Sequence, residues 1–191
     1  CYNGCMNLYF RLVYMLIASF FKRKIGSALD ETSLRFCVWP NDLDLNGHMN
    51  NGRYLSIMDI GRMDYVLRLG LAGYVIRNKY IPVLSSSAMR YRLPLLPFQK
   101  YDLSTRIICW DDKWVFMEHR FIIVGGKKDS AVAAVGLVKG SFFSKETRGT
   151  IPTGDIMNAI GQTLQSPPVP EHIIKWQQSE DSLRDDMKQN S

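Results

Sequence analysis

The sequence has little from which to build a metal or redox centre. Its three histidines, His48, His119 and His172, are far apart, and its four cysteines, Cys1, Cys5, Cys37 and Cys109, have no ligand spacing, so no metal site is expected. A chain of 191 residues can bury one sizeable core without disulfide staples. Cys37 and Cys109 fall in strand-like runs and read as buried small hydrophobes in a reducing, cytoplasmic setting. A Ser-His-Asp order, a Gly-x-Ser-x-Gly elbow and a glycine-rich phosphate loop are all missing, as are internal repeats and low-complexity segments. The net charge is +6, yet the basic residues are scattered apart from Lys22-Arg23-Lys24 and Lys127-Lys128, and no basic helix face emerges. No nucleic-acid partner is therefore expected.

A long apolar run is missing too. Leu8 to Phe21 is interrupted by Arg11 and Ser19 and as a helix would be roughly 21 Å long, short of the ~30 Å hydrocarbon core of a bilayer. Its positive charges follow the apolar stretch, which does not fit a secretory signal. On a helical wheel Arg11, Tyr14, Ala18 and Lys22 share one side, and Leu8, Leu12, Val13, Leu16, Ile17 and Phe20 cover the other. Two readings stay open. Residues 8–24 make a peripheral membrane contact as an in-plane helix with Lys22-Arg23-Lys24 at the headgroups, or the helix docks on the domain or on a second subunit. Met6 reads as a natural start, so the five residues before it need not belong to the native product.

What is present is a regular succession of elements. A strand is expected over Leu34 to Trp39, stopped by Pro40, and a helix over Tyr54 to Leu69 with Gly70 at its C-terminal end. Four strand-like runs follow, Pro82 to Arg92, Lys100 to Trp110, Lys113 to Val124 and Ser130 to Phe143, with turn signals at Leu93-Pro-Leu-Leu-Pro97, Asp111-Asp112 and Gly125 to Asp129. Such connections predict consecutive antiparallel pairs, hence an α+β fold in which one long helix is wrapped by one mainly antiparallel sheet of about five strands. Thr153 to Leu164 and Glu171 to Met187 read as terminal helices, the second anchored by Ile173, Ile174 and Trp176. The expected organisation is an apolar helix and linker over 1–33, the main domain over 34–145 and a helical extension over 146–191. Asp59 and Arg62, three apart on the long helix, read as a solvated ion pair, and His119 as a core histidine among Val115, Met117 and Phe121.

The chemistry concentrates between Val38 and Tyr54, where a polar loop feeds the long helix. A helix start carries unsatisfied N–H groups and can hold a developing oxyanion. Asp42 and Asp44 are two apart and point to opposite sides of an extended chain, so only one serves a given substrate atom. Asp42, just after Pro40-Asn41, reads as a turn-closing residue. His48 could orient Asp44, carry a proton or cap the turn. Asn50 and Asn51 are both good N-caps, and Gly52 would let a ligand approach the backbone.

At Asp42-Leu-Asp-Leu-Asn-Gly-His-Met-Asn-Asn-Gly-Arg-Tyr54 the sequence resembles the hotdog-fold acyl-CoA thioesterases of the 4-hydroxybenzoyl-CoA thioesterase type, with the pattern Asp-x-Asp-x-x-Gly-(His)-x-x-(Asn)-x-x-Tyr. Trp110-Asp-Asp112 and the stretch Pro167 to Trp176 make it most similar to the group around thioesterase superfamily member six. The resemblance implies a hotdog fold and hydrolysis of an acyl-CoA, of medium or long chain given the apolar residues available. It implies Asp44 as nucleophile or general base, His48 beside it, and oxyanion donors at Asn51 and Gly52. Gly47, Asn50 and Tyr54 would contact substrate. Coenzyme A is then part of the substrate and no cofactor is needed. It further implies a homodimer or tetramer, with dispersed Lys and Arg holding the CoA phosphates. Some relatives carry a catalytic Glu where this chain has Asp59. The rival reading is a non-catalytic acyl-CoA or lipid-binding hotdog module.

Overall fold

The computed structural model describes residues 3–189; Cys1 and the side chains of Cys5, Met6 and Phe20, named above, lie outside the described residues. The elements are α1 (Asn3–Phe21), β1 (Thr32–Cys37), α2 (Asn51–Arg68), α3 (Ala72–Arg77), β2 (Tyr80–Tyr91), β3 (Lys100–Trp110), β4 (Val115–Val124), β5 (Val132–Ser144), β6 (Gly149–Thr150), α4 (Thr153–Ala159) and α5 (Glu171–Gln189). The sheet is antiparallel in the order β1-β3-β4-β5-β2, with β6 added to β5. It is a hotdog fold of the α+β class: the sheet curls around α2.

The apolar face of α2, with Tyr54, Ile57, Met58 and Ile60, meets Leu34, Phe36, Leu103, Phe121 and Val138 of the sheet in one continuous core. Helix and sheet approach closely where α2 has no side chain. A Cβ on Gly61 would lie 2.7 Å from both Leu103 Cδ2 and Thr105 Oγ1.

Strand β2 departs from the expected consecutive pairing. The two hairpins β3–β4 and β4–β5 form, but β2 pairs with β5, and β3 takes β1 as its other neighbour. Leu93 to Pro97 is too long and too proline-rich for a tight hairpin, and it carries the chain from the edge strand β2 across to β3, the neighbour of the opposite edge strand β1. In crossing it lends the Leu95 carbonyl to the Met49 N–H at 2.9 Å. The connection after α2 contains α3, and the fourth helix is shorter than expected.

Helix α1 docks on the domain through a face that cuts across the two sides of the helical wheel. Met15 and Arg11 are buried, Leu8 and Leu12 are partly buried, and Val13, Leu16 and Ile17 stay exposed beside Tyr9, Phe10, Tyr14 and Phe21. Two polar attachments fix this orientation. Arg11 pairs with Asp42 and donates to the Cys37 carbonyl at 2.7 Å, and Ser19 donates to the buried Asp64 of α2. None of the described helices is long and apolar enough to cross a membrane.

On the outer face of the sheet α5 is held by Ile173 against Cys109 and Phe116, by Trp176 edge-on to Phe116, and by a Lys139–Glu180 pair at 2.9 Å. Ile174, expected as an anchor, is exposed.

Candidate active site

The segment between β1 and α2 is built from backbone hydrogen bonds. Pro40–Asp42 makes one 3-10 turn, a Leu43–Met49 bridge closes a small hairpin, and at its tip the Asp44 N–H bonds the His48 carbonyl at 2.9 Å. The Gly47 N–H returns to the Asp44 carbonyl at 3.1 Å, and Gly47 has φ +74°, a conformation glycine adopts without strain. Gly47 thus shapes the turn, and its exposed position says nothing of substrate contact.

The two aspartates have different surroundings. Asp42 is 1% exposed; its carboxylate faces the Arg11 guanidinium, accepts from the Trp39 N–H at 2.8 Å and stands 3.6 Å from Arg53 Nε. Its carbonyl accepts from the Asn50 N–H at 2.8 Å. Asp42 therefore ties β1, α1 and the start of α2 together. Asp44 lies at the surface of the same hairpin, its side chain 19% exposed. Oδ1 accepts from the Asn46 N–H at 2.9 Å, and Oδ2 faces His48 Nδ1 at 3.6 Å. That second gap exceeds a direct hydrogen bond. His48 is 34% exposed, so the pair opens to solvent.

At the start of α2 the cap is Asn50, whose side chain accepts from the Gly52 N–H at 2.9 Å. This corrects the expectation for Gly52. Its N–H is engaged by the cap, and a Cβ there would press to 3.3 Å from Asn50 Oδ1, so the glycine serves the cap. The Asn51 N–H, one residue earlier, takes no part in this cap, and the Asn51 carbonyl accepts from Tyr91 Oη of β2 at 3.2 Å. Tyr54, expected at the substrate, is buried between Tyr91 and Phe121, with ring centroids 5.1 and 4.8 Å away. Burial, helped by Tyr91 and Asp44, pushes its phenol up to about 12. It is a buttress under the loop.

Asp59 and Arg62 do pair, but Arg62 is largely buried and the loss of solvent lowers its guanidinium to about 10. His119 is wholly buried with Nδ1 2.9 Å from Thr105 Oγ1, and burial holds it neutral by lowering it well below the ordinary histidine value. Arg11, Arg53 and Tyr91 were not singled out by sequence reasoning. A lone arginine inside an apolar helix was a signal for the first; Arg53 and Tyr91 carried none, because their partners are brought by the fold. Among the described residues no group of His, Cys, Asp or Glu could hold a metal ion.

Comparison with known proteins agrees with this fold. A family model described as "Thioesterase-like superfamily" matches residues 38–177. Protein THEM6 of Xenopus laevis is 30% identical over 167 residues, covering 87% of this chain and 77% of that protein. A probable thioesterase of Saccharomyces cerevisiae is 30% identical over 132 residues, covering 68% of this chain and 55% of that one. Among solved structures, a Staphylococcus aureus protein in complex with CoA superposes with a TM-score of 0.62 at 15% identity, covering 78% of this chain and 96% of its own.

Proposed function

The chain belongs to the thioesterase-like superfamily, whose chemistry is thioester hydrolysis, and on that premise we propose that its substrate is an acyl-CoA of medium or long chain, with Asp44 as the catalytic carboxylate. The observation that carries this reading is the division between the aspartates. Asp42 is spent on Arg11 and the backbone, while Asp44 keeps one oxygen toward His48 and solvent.

Two routes use this carboxylate. As general base, Asp44 takes a proton from water while the hydroxide adds to the thioester carbonyl. As nucleophile, it attacks the carbonyl itself; CoA thiolate leaves, and water then splits the mixed anhydride. In both, negative charge develops on the carbonyl oxygen, and the Asn51 N–H at the positive end of α2 is the donor proposed to receive it. The departing thiolate takes up one proton, so acid and CoA are the products. His48 positions the Asp44 carboxylate beside it. A thiol-release assay across acyl chain lengths tests the reading: Asp44→Asn and Asp44→Ala should lower kcat by about 10²–10⁴-fold. A wild type as inert as the variants that still binds acyl-CoA would establish the binding-module alternative.

Two further parts of the reading rest on exposed surfaces. The outward edge of β2 is unpaired and exposes Ile81, Val83 and Leu84, which supports a homodimer through that edge, measured by sedimentation velocity. The exposed face of α1, with Tyr9, Phe10, Val13, Ile17 and Phe21 followed by Arg23 and Lys24, supports peripheral contact with an anionic membrane. Equal recovery in the soluble fraction with and without anionic liposomes would refute that contact.

A further inference from the structure

Helix α5 crosses the outer face of the sheet along one row of cross-strand neighbours. Cys109 of β3 stands opposite Phe116 of β4, Phe116 opposite Lys139 of β5, and Lys139 opposite Ser86 of β2. Ile173 packs on Cys109 and Phe116, Trp176 lies edge-on to Phe116, and Lys139 donates to Glu180. From Ile173 to Glu180 a helix rises about 10.5 Å, close to the two strand spacings of about 4.8 Å that separate β3 from β5. The helix therefore runs nearly across the strands and heads for β2, the edge strand.

The face that makes these contacts does not end with the sheet. Ile173, Trp176, Glu180, Leu183 and Met187 recur at alternating intervals of three and four, so all share one side of α5. Ile173 is buried, whereas Leu183 and Met187 are 62% and 65% exposed, and residues 181–189 are exposed throughout. Leu183 stands about 4.5 Å and Met187 about 10.5 Å farther along the helix than Glu180. With strands about 4.8 Å apart, that brings Leu183 over β2 and Met187 one strand beyond it. The family match ends at residue 177, before this half of the helix. Charge points to what lies under it. Residues 180–189 hold four acidic side chains against two basic ones, in a chain of net charge +6. The outer face of β2 carries Ser86, Ala88 and the exposed Arg90, opposite Lys139, Leu137 and Val135 of β5.

We propose that the distal half of α5 is an arm that crosses the β2 edge and packs Leu183 and Met187 on the outer face of a second copy's β2, with its acidic side chains toward Arg90 there. The proposal rests on the homodimer reading of the β2 edge, which brings that outer face of the second copy under the end of the helix. In a two-fold dimer each copy gives one arm and receives one, so the contact is made twice. Edge pairing supplies backbone hydrogen bonds. The arm adds apolar burial to it, and a helix end in water gains most of its stability from such a packed face.

The test is sedimentation velocity of the full chain over a dilution series, beside the double variant Leu183→Gln, Met187→Gln. Glutamine keeps the helix propensity, so the variant should melt as the wild type does. Its dimer should be weaker by about tenfold or more. Photo-crosslinking locates the contact: with benzoylphenylalanine in place of Leu183 in mixed isotopically light and heavy chains, illumination should join one copy to β2 of the other. An unchanged dimer constant in the double variant overturns the arm and leaves the edge dimer standing. So do crosslinks confined to the same chain or made to α1 of another copy. A wild type that stays monomeric at every concentration refutes the edge dimer and the arm together.

Discussion

Replacing Asp42 and Asp44 one at a time should give opposite phenotypes, although the two residues are separated only by Leu43. In Asp42→Ala the Arg11 guanidinium, its side chain 7% exposed, loses the carboxylate it faces, and the Trp39 N–H loses its acceptor. Breaking one side of a buried ion pair costs about 3–5 kcal/mol, because the remaining charge stays in a poorly solvated place. That is a large share of a domain stability of about 5–15 kcal/mol. For a chain of this size it amounts to a Tm lower by roughly 6–20 °C. The same change should loosen α1 and the start of α2, since Asp42 joins them. In Asp44→Asn the amide oxygen can still accept from the Asn46 N–H, so the turn survives and stability should move by no more than about 0.5 kcal/mol. Thiol release should nevertheless collapse. Thermal melting by circular dichroism, read beside the thiol-release assay, separates the two. An Asp42→Ala protein with the wild-type Tm, or an Asp44→Asn protein that melts early, would refute the division of labour.

Three other outcomes follow from the geometry. His119 is held neutral in the folded chain, whereas its unfolded value lies near the ordinary ~6.5. Below that pH the unfolded chain binds a proton that the folded chain refuses, so stability should fall by about 1.4 kcal/mol per pH unit on acidification; in His119→Gln urea titrations from pH 7 to 5 should lose that slope. Gly61→Ala should cost about 1–3 kcal/mol in urea unfolding, because the new methyl meets the buried Leu103 and Thr105; a neutral result would mean α2 can lift from the sheet without loss. Asn50→Ala should cost about 1 kcal/mol by removing the cap on the Gly52 N–H, and a Tm unchanged within error would show that another group caps the helix.

Much of this protein was legible in its sequence because the signals are local. Alternating apolar residues marked β3, β4 and β5, spaced apolar residues marked α2, and the run from Asp42 to Tyr54 announced a polar hairpin feeding a helix. That Asp42 takes part in a turn was also readable, from the turn chemistry around Pro40. What the sequence could not show depends on residues far apart in the chain. The partner of β2 was misjudged because a proline-rich crossing resembles a turn until the far edge of the sheet is seen. The inward face of α1 was misplaced because a helical wheel counts hydrophobicity, whereas Arg11 and Ser19 are drawn in by Asp42 and Asp64, 31 and 45 positions away. Of the two residues the sequence offered as caps, Asn50 and Asn51, the structure uses Asn50, whose N–H also bonds the Asp42 carbonyl. The sequence by itself determined the elements and placed Asp44 in a polar loop beside a helix start; only the tertiary structure decided which edges meet, which face of α1 is buried and which residue caps α2, because those depend on partners brought together by packing.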